Sequence, residues 1–264
     1  MIPEVYILNN RLNCFDSQEA LFQELQNKSK DSSFKGYVTV GNVHTMMEGF
    51  MHIGFKEIVN KSYLSIPDGK PLEIVGRLKG QKKISRLFGP SILEHCIDRG
   101  RENSMRHFFI GSTPETLDKM KTAIATRFPG AQVVGTISPP FRPMSEWEDD
   151  VFIDQINAAK ANLIWVGFGA PKQEQWMFKN FDRLDKGIMI GIGAGFSYLA
   201  GDTKHAPEWM KTASLEWLYR LSQEPVRLWK RYFTTIPPFI LLATMELVGH
   251  TVRKNIFGSS DLRR

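Results

Sequence analysis

Short apolar runs alternate along this chain with longer segments in which apolar residues recur every three or four positions. The runs occupy residues 5–8, 36–40, 132–135, 161–169 and 187–195, with a further one opening the segment 106–115. Apolar runs that end at glycine predict buried strands, and the segments between them predict amphipathic helices. Strands alternating with helices predict an α/β fold: a doubly wound, largely parallel sheet with helices on both faces.

Several of the predicted helices carry start signals. Ser17 is the expected N-cap of a helix over residues 17–26, and Thr113 followed by Pro114 begins a helix directly after a strand. Further helices are predicted over residues 46–51, 91–96 and 216–233. These signals predict where each strand ends and its helix begins, and therefore which residues form the loops at the edge of the sheet.

The run at 163–166 ends in Gly167-Phe168-Gly169-Ala170-Pro171-Lys172-Gln173-Glu174. Ligands of parallel α/β sheets bind beyond the carboxyl ends of the strands, where glycine lets the backbone approach them closely. We therefore expect a binding site here. An ordinary strand-to-helix turn with a solvated Lys172 is the alternative interpretation.

Gly191-Ile192-Gly193-Ala194-Gly195 raises a second possibility, a dinucleotide-binding turn. That fingerprint needs a following strand with an acid about 20 residues further on. Glu216 has nearly this spacing, but it lies in a segment with a helical pattern. The nicotinamide interpretation is therefore disfavoured.

Taken together, the motifs resemble those of the bacterial WecG/TagA/CpsF glycosyltransferases. The matching segments, in order, are Pro67-Asp68-Gly69-Lys70-Pro71, Gly76-Arg77, Phe109-Ile110-Gly111-Ser112, the 167–176 motif, Gly191-Ile192-Gly193-Ala194, Glu216-Trp217-Leu218-Tyr219-Arg220-Leu221 and Glu224-Pro225 with Arg227. The resemblance implies transfer of an N-acetylhexosamine-type sugar, N-acetylmannosamine or its uronate, from a UDP donor. The implied acceptor is a polyprenyl-diphosphate-linked sugar of cell-envelope polysaccharide synthesis.

The resemblance also implies roles for three residues on one side of the site. Asp68 lies in a Pro-Asp-Gly sequence, which turn geometry alone also explains; the matching aspartate of the family is the proposed general base. Asn42 and His44 follow an early strand, although His44 is equally explained as a helix-start residue. The family has Thr-x-Asn here, whereas this chain has Val40-Gly41-Asn42.

The donor side is expected to use glycine turns and helix N-termini, which bind phosphate without a metal. The candidate residues are Gly111, Ser112, Gly167, Gly169, Pro171, Lys172, Gln173, Glu174, Gly193 and Arg77. Asp149-Asp150 is not an Asp-x-Asp metal motif, and no such triplet occurs in the sequence. We expect metal-independent transfer with no cofactor besides the UDP-sugar.

The C-terminal segment, residues 220–264, is strongly basic. The chain has 264 residues and a net charge of +6, and residues 220–264 hold eight basic residues against three acids. Basic residues among aromatic ones favour an anionic membrane surface over nucleic acid. The candidates for membrane or acceptor contact are Arg220, Arg227, Lys230 and Arg231, and the alternative is a core helix with a solvated basic face.

The neighbouring apolar stretch, residues 236–248, has 13 residues with two prolines and is shorter than the roughly 20 that a membrane span needs. We predict a catalytic domain over 1–212 and a membrane-associating appendage over 213–264. No secretory leader pattern opens the sequence, so the expected location is cytoplasmic, peripheral on the inner face of the membrane.

Three positions depart from the family pattern: Ser91 and Ser197 replace usual aspartates, and His205 replaces an arginine. These departures keep open an alternative function, a catalytically inactive nucleotide-binding scaffold of a polysaccharide assembly complex. The two cysteines, Cys14 and Cys96, indicate neither a metal cluster nor a disulfide framework. Whether the chain forms a homo-oligomer also stays open.

Overall fold

The computed structural model describes residues 2–207, 209–210 and 215–257, without the side chains of Arg227 and of residues 253–257. Its centre is a six-stranded sheet in which every neighbouring pair is parallel, in the order β4-β3-β8-β7-β5-β6. The strands are β3 (Lys35–Gly41), β4 (Leu64–Pro67), β5 (Arg106–Gly111), β6 (Gln132–Ile137), β7 (Leu163–Gly167) and β8 (Gly187–Gly191). The predicted parallel α/β sheet is confirmed.

Helices cover both faces of this sheet. One face carries α1 (Gln18–Ser29), α5 (Gly89–Gly100), α6 (Pro114–Arg127) and α9 (Gly195–Leu199), and the other carries α3 (Ile53–Lys61), α7 (Asp149–Ala158) and α8 (Lys172–Asn180). Each layer buries its own apolar cluster against the strands, one around Phe109 and the other around Trp176. Such two-sided burial explains why the strands read as continuous apolar runs.

The predicted helix starts are confirmed. Ser17 Oγ accepts the backbone N–H of Ala20 at 3.1 Å, and Thr113 Oγ1 accepts that of Thr116 at 3.3 Å. Pro114 opens α6, where its missing N–H costs nothing.

The connections after β5 and β7 leave in opposite directions, because α6 lies on one face of the sheet and α8 on the other. This divergence opens a crevice at the carboxyl ends of the two strands, the usual ligand position in doubly wound sheets.

A third apolar cluster lies beside the sheet. It joins the antiparallel hairpin β1 (Glu4–Ile7) and β2 (Asn10–Asn13) to helices α2 (Val43–Met51) and α4 (Lys70–Leu78). Phe239 and Ala243 of the C-terminal segment complete this cluster and are 2% and 3% exposed. Part of the predicted appendage therefore belongs to a core.

The C-terminal segment corrects two predictions. The helix expected over 216–233 is two helices, α10 (Glu216–Gln223) and α11 (Pro225–Phe257), because the residue before a proline disfavours helical geometry. The predicted apolar stretch also lies within a longer helix, since α11 continues through Pro237 and Pro238. The part of α11 from Leu228 to Val252 is 25 residues long and contains an 18-residue window of mean hydropathy 1.3, so by length and composition alone it suffices to cross a membrane.

Candidate active site

A cleft of about 390 Å³ lies at the carboxyl ends of β3 and β4, beneath α10 and α11. Its lining comes from α2, α4, α10 and α11, from the turns that follow β3 and β4, and from the loop that precedes α5. The lining residues that carry chemistry are Asn42, His44, Asp68, Lys70, Arg86, Glu216, Arg220, Arg231 and Tyr232. The structure thus brings five sequence-predicted residues, Asn42, His44, Asp68, Arg220 and Arg231, to one cavity.

Asp68 is held on the turn between β4 and α4. Its backbone N–H donates to the Gly41 carbonyl at 2.8 Å, which extends the pairing of β4 with β3 by one residue. Its Oδ1 accepts the backbone N–H of Gly89 at the start of α5, at 3.4 Å. The carboxylate is therefore fixed at the floor of the cleft by the chain on either side of it.

Charged residues surround Asp68. Arg86 Nε donates to the main-chain carbonyl of Asp68 at 3.1 Å, and the terminal nitrogen of the same guanidinium pairs with Glu216 of α10. Arg220, one turn further along α10, packs its guanidinium against the Tyr198 ring at 5.9 Å. Two arginines and one acid thus lie next to the candidate base.

Burial raises the pKa of Asp68 to about 7. The negative charge of Glu216 acts in the same direction, whereas Arg86, Arg220 and the Gly89 N–H lower the pKa. A carboxyl group with a pKa near neutrality is suited to accept a proton at physiological pH.

Asn42 and His44 occupy the end of β3. Asn42 is the N-cap of α2, and its Oδ1 accepts the backbone N–H groups of His44 and Thr45 at 3.0 and 3.4 Å. Burial, together with the nearby charge of Arg231, lowers the pKa of His44 to about 4, so this histidine is neutral at pH 7. The structure gives Asn42 a capping role and leaves His44 uncharged against the cleft.

The glycine group lies at the neighbouring strand ends. Gly111 of β5 pairs in register with Gly167 of β7, and a Cβ on Gly111 would lie 2.7 Å from the Gly167 carbonyl oxygen. Gly111 also has φ +135°, so both space and backbone geometry demand glycine. Ser112 follows with φ +62°. Gly169 has φ +79°, and no atom lies within 4 Å of its ideal Cβ position.

Gln173 and Glu174 are buried at the start of α8. Gln173 Oε1 accepts the N–H of Gly193 at 2.9 Å and that of Gly169 at 3.2 Å, which ties the loops after β7 and β8 together. Gln173 Nε2 donates to Glu174 Oε1 at 2.9 Å. Burial raises the pKa of Glu174 to about 7, against the lowering influence of Gln173 and of Arg231.

The loop after β8 lies between the two groups. A Cβ on Gly89, whose N–H binds Asp68, would lie 3.7 Å from the Ile192 carbonyl, while a Cβ on Gly167 would lie 3.3 Å from the Gly193 carbonyl. Arg231 of α11 acts electrostatically on both His44 and Glu174. The cleft and the glycine crevice are therefore adjoining parts of one edge.

Other candidates lie apart from the cavity. Arg77 binds Glu73 at 3.0 Å and the Ile84 carbonyl at 3.3 Å, on a half-exposed side of α4. Lys172 and Lys230 are exposed, and Pro171 is the N-cap residue of α8. The side chain of Arg227 lies outside what the structure describes. The boundary proposed between residues 212 and 213 falls among undescribed residues and stays a prediction.

The three departures from the family pattern lie on helices or loops around the cleft. Ser91 is in the first turn of α5 and Ser197 is in α9. The His205 ring lies 4.7 Å from the ring of Tyr198, which is itself 5.5 Å from the Phe88 ring.

Sequence reasoning missed Arg86 and Glu216 as site residues. Arg86 was given no role from the sequence, and Glu216 was noted only within a family segment and as a possible ribose-binding acid. Glu216 instead opens a helix and pairs with Arg86, which removes the dinucleotide interpretation of that residue. Among the described residues, no three His, Cys, Asp or Glu side chains are grouped so that they could hold a metal ion.

Comparison of the sequence with those of known proteins identifies the family of this chain. The chain is 24% identical over 232 residues to an N-acetylglucosaminyldiphosphoundecaprenol N-acetyl-beta-D-mannosaminyltransferase of Bacillus spizizenii, covering 88% of each chain. A protein of the same name from Staphylococcus aureus strain MW2 is 24% identical over 206 residues, 77% of this chain and 78% of the relative. The profile described as "Glycosyl transferase WecG/TagA/CpsF family" matches residues 5–253. The chain therefore belongs to the WecG/TagA/CpsF family and is a glycosyltransferase.

Proposed function

We propose that this glycosyltransferase moves an N-acetylmannosamine-type sugar from a UDP donor to a polyprenyl-diphosphate-linked N-acetylglucosamine acceptor in cell-envelope polysaccharide synthesis. The names of its relatives in Bacillus and Staphylococcus support the sugar and the acceptor. Asp68 takes the proton of the acceptor hydroxyl as that oxygen attacks the anomeric carbon, and UDP leaves with the electrons of the broken bond.

The observation that carries this proposal is the position of Asp68. It is a carboxyl group with a pKa of about 7 at the floor of a cleft large enough for a sugar. Arg220 and Arg231 line the same cleft. Guanidinium groups form paired hydrogen bonds with phosphate oxygens, so these arginines suit the acceptor diphosphate.

The donor diphosphate is proposed to lie in the crevice of Gly111, Gly167 and Gly169. Among the described residues no atom lies within 4 Å of the ideal Cβ position of Gly169, and no described side chain caps the start of α8 beside it. Helix N-terminal N–H groups together with the arginines supply the positive charge that the leaving UDP requires. On this basis the transfer needs no metal.

Membrane association is proposed through α11. Its inner face is packed against the body, where Glu246 Oε2 accepts the Leu8 N–H at 3.0 Å and Glu246 Oε1 accepts Lys79 Nζ at 2.9 Å. Its outer face exposes an apolar stripe at helical spacing, made of Val226, Trp229, Phe233, Ile240, Leu241, Met245, Val248 and Val252. A helix docked at its middle on a water-soluble body suits the membrane surface better than a span.

A donor panel tests the function. Purified protein is offered UDP-N-acetylmannosamine, UDP-N-acetylglucosamine, the UDP-hexosaminuronic acids and NAD(P)H, with a short-chain polyprenyl-diphosphate-N-acetylglucosamine as acceptor. We expect transfer from UDP-N-acetylmannosamine or its uronate, and the same rate in the presence of EDTA. The Asp68→Asn protein serves as the matched control.

Each other outcome has a defined meaning. UDP-sugar binding without turnover would favour the scaffold function that Ser91, Ser197 and His205 keep open. Loss of transfer in EDTA with recovery on adding Mg²⁺ or Mn²⁺ would disprove metal independence alone.

A further inference from the structure

Arg86 lies next to Asp68, yet its guanidinium does not form an ion pair with the Asp68 carboxylate. Arg86 Nε binds the main-chain oxygen of Asp68 at 3.1 Å. Among the described residues, the carboxylate itself accepts only a long bond, 3.4 Å, from the Gly89 N–H. A guanidinium carries five donors and pairs readily with a carboxylate in reach, so another group must hold it in place.

That group is Glu216. Its Oε2 pairs with the terminal nitrogen of Arg86, the residue is 7% exposed, and its Oε1 is buried without a hydrogen-bond partner in the part of the chain that the structure describes. Arg86 is therefore the cation that stabilises this buried carboxylate. Glu216 is also the first residue of α10, so the predicted appendage supplies it.

We propose that Glu216 is a positioning residue of the transfer reaction: by holding Arg86, it keeps the guanidinium off the Asp68 carboxylate and leaves that carboxylate able to accept a proton. The inference rests on the proposed role of Asp68 as the base.

The electrostatics of the cleft agree with this role. Burial is the main cause that raises the pKa of Asp68, Glu216 raises it further, and Arg86 and Arg220 lower it. Among the described residues, the other charged or titratable groups that face the cleft are His44 of α2, Lys70 of α4, Tyr198 of α9, and Arg231 and Tyr232 of α11. None of these is changed by substituting Glu216 or Arg86.

The test compares kcat/KM against pH for the full-length wild type, Glu216→Gln, Arg86→Met and the double variant. Activity of the wild type should rise through about pH 7. In Glu216→Gln the released Arg86 pairs with Asp68, so the pH at which kcat/KM rises should be lower by at least about one unit, and the plateau value of kcat/KM should fall by about tenfold. In Arg86→Met the pH at which kcat/KM rises should be higher than in the wild type. The double variant should be faster than Glu216→Gln, because the arginine that blocks the base is gone.

Two results would overturn the inference: a rise at the wild-type pH in Glu216→Gln, or a double variant no faster than Glu216→Gln. A purely structural salt bridge gives the first result, because its loss changes stability without moving the pH profile. Should Glu216→Gln fail to fold, Glu216→Asp keeps the charge but shortens its reach, and the same downward shift, smaller in size, is expected. A wild type that transfers no sugar would overturn the proposed function instead, before any variant is compared.

Discussion

The two halves of the sheet's carboxyl edge are built differently. At the ends of β3 and β4, charged and titratable side chains from helices and loops line a cleft that α10 and α11 cover. At the ends of β5 and β7, the surface is glycine backbone, and Gly111 and Gly167 are in direct contact. A ligand in the first half would meet titratable side chains. A ligand in the second half would meet glycine backbone and its N–H groups.

This difference separates two tasks. Side chains can move protons and stabilise changing charge, whereas glycine backbone can only bind what approaches it closely. We therefore expect substitutions in the cleft to change the rate at constant donor affinity. Substitutions in the crevice should change donor affinity first. The variants Asp68→Asn and Gly111→Ala test this separation directly.

The largest effect is expected for Asp68→Asn. The amide keeps the turn and the size of the side chain but accepts no proton, so transfer should fall by about 10²- to 10⁴-fold. UDP affinity, measured by calorimetry, should stay within about twofold of wild type, because the donor is proposed to bind in the glycine crevice and not at Asp68. A twofold change corresponds to less free energy than the loss of a direct contact. A rate near wild type would remove Asp68 as the base.

The second prediction concerns the two faces of α11. Phe239 is 2% exposed in the third apolar cluster, so Phe239→Ala should lower the free energy of unfolding by about 3 to 5 kcal/mol. Phe233, 71% exposed on the same helix, serves as the matched position. Phe233→Ser should leave thermal unfolding unchanged but weaken sedimentation with anionic liposomes. Equal liposome binding by wild type and Phe233→Ser would show that the outer face does not contact lipid.

The third prediction concerns the crevice. In Gly111→Ala the new methyl would collide with the Gly167 carbonyl, so UDP affinity should fall by about tenfold or more, which is 1.4 kcal/mol. Gly130→Ala is the control, because Gly130 has φ +90° but no atom within 4 Å of its ideal Cβ position. Both positions have a positive φ that side chains rarely adopt, and only the first variant should lose donor binding. Equal UDP affinity in the two variants would place the donor elsewhere.

The smallest effect is on stability against pH. The pKa of Asp68 is raised from 3.8 to about 7 on folding, so the folded state keeps a proton that the unfolded chain loses above pH 4. This contribution to stability is present below pH 4 and is lost as the pH rises through 7. Asp68→Asn should therefore gain stability relative to wild type across this range. The gain should be about 1 kcal/mol, less than the full difference in pKa would give, because Asp68 as a residue is only partly buried. Urea unfolding at pH 4 and pH 8 measures it, and an equal difference at both pH values would contradict the raised pKa.

Local signals predicted the body of the fold well because local interactions determine it. Ser17 and Thr113 cap the helices they were expected to cap, since a hydroxyl meets a backbone N–H three residues away in any context. The C-terminal segment failed for the complementary reason. The two prolines made residues 236–248 read as a short apolar stretch, yet the helix continues through them, and Thr235 and Phe239 on either side are buried against the body.

By itself the sequence determined the parallel α/β sheet, its capped helices and the turn that holds Asp68, because alternating periodicity and nearby hydrogen bonds specify these features. Only the tertiary structure decided which distant side chains meet that carboxylate. Arg86 and Glu216 are 130 positions apart, and no periodicity relates them. They meet because α10 and α11 fold back over the ends of β3 and β4, held by the apolar contacts of Phe239 and Ala243 with the N-terminal hairpin and α2. Packing between distant segments, rather than any local pattern, therefore assembled the cleft.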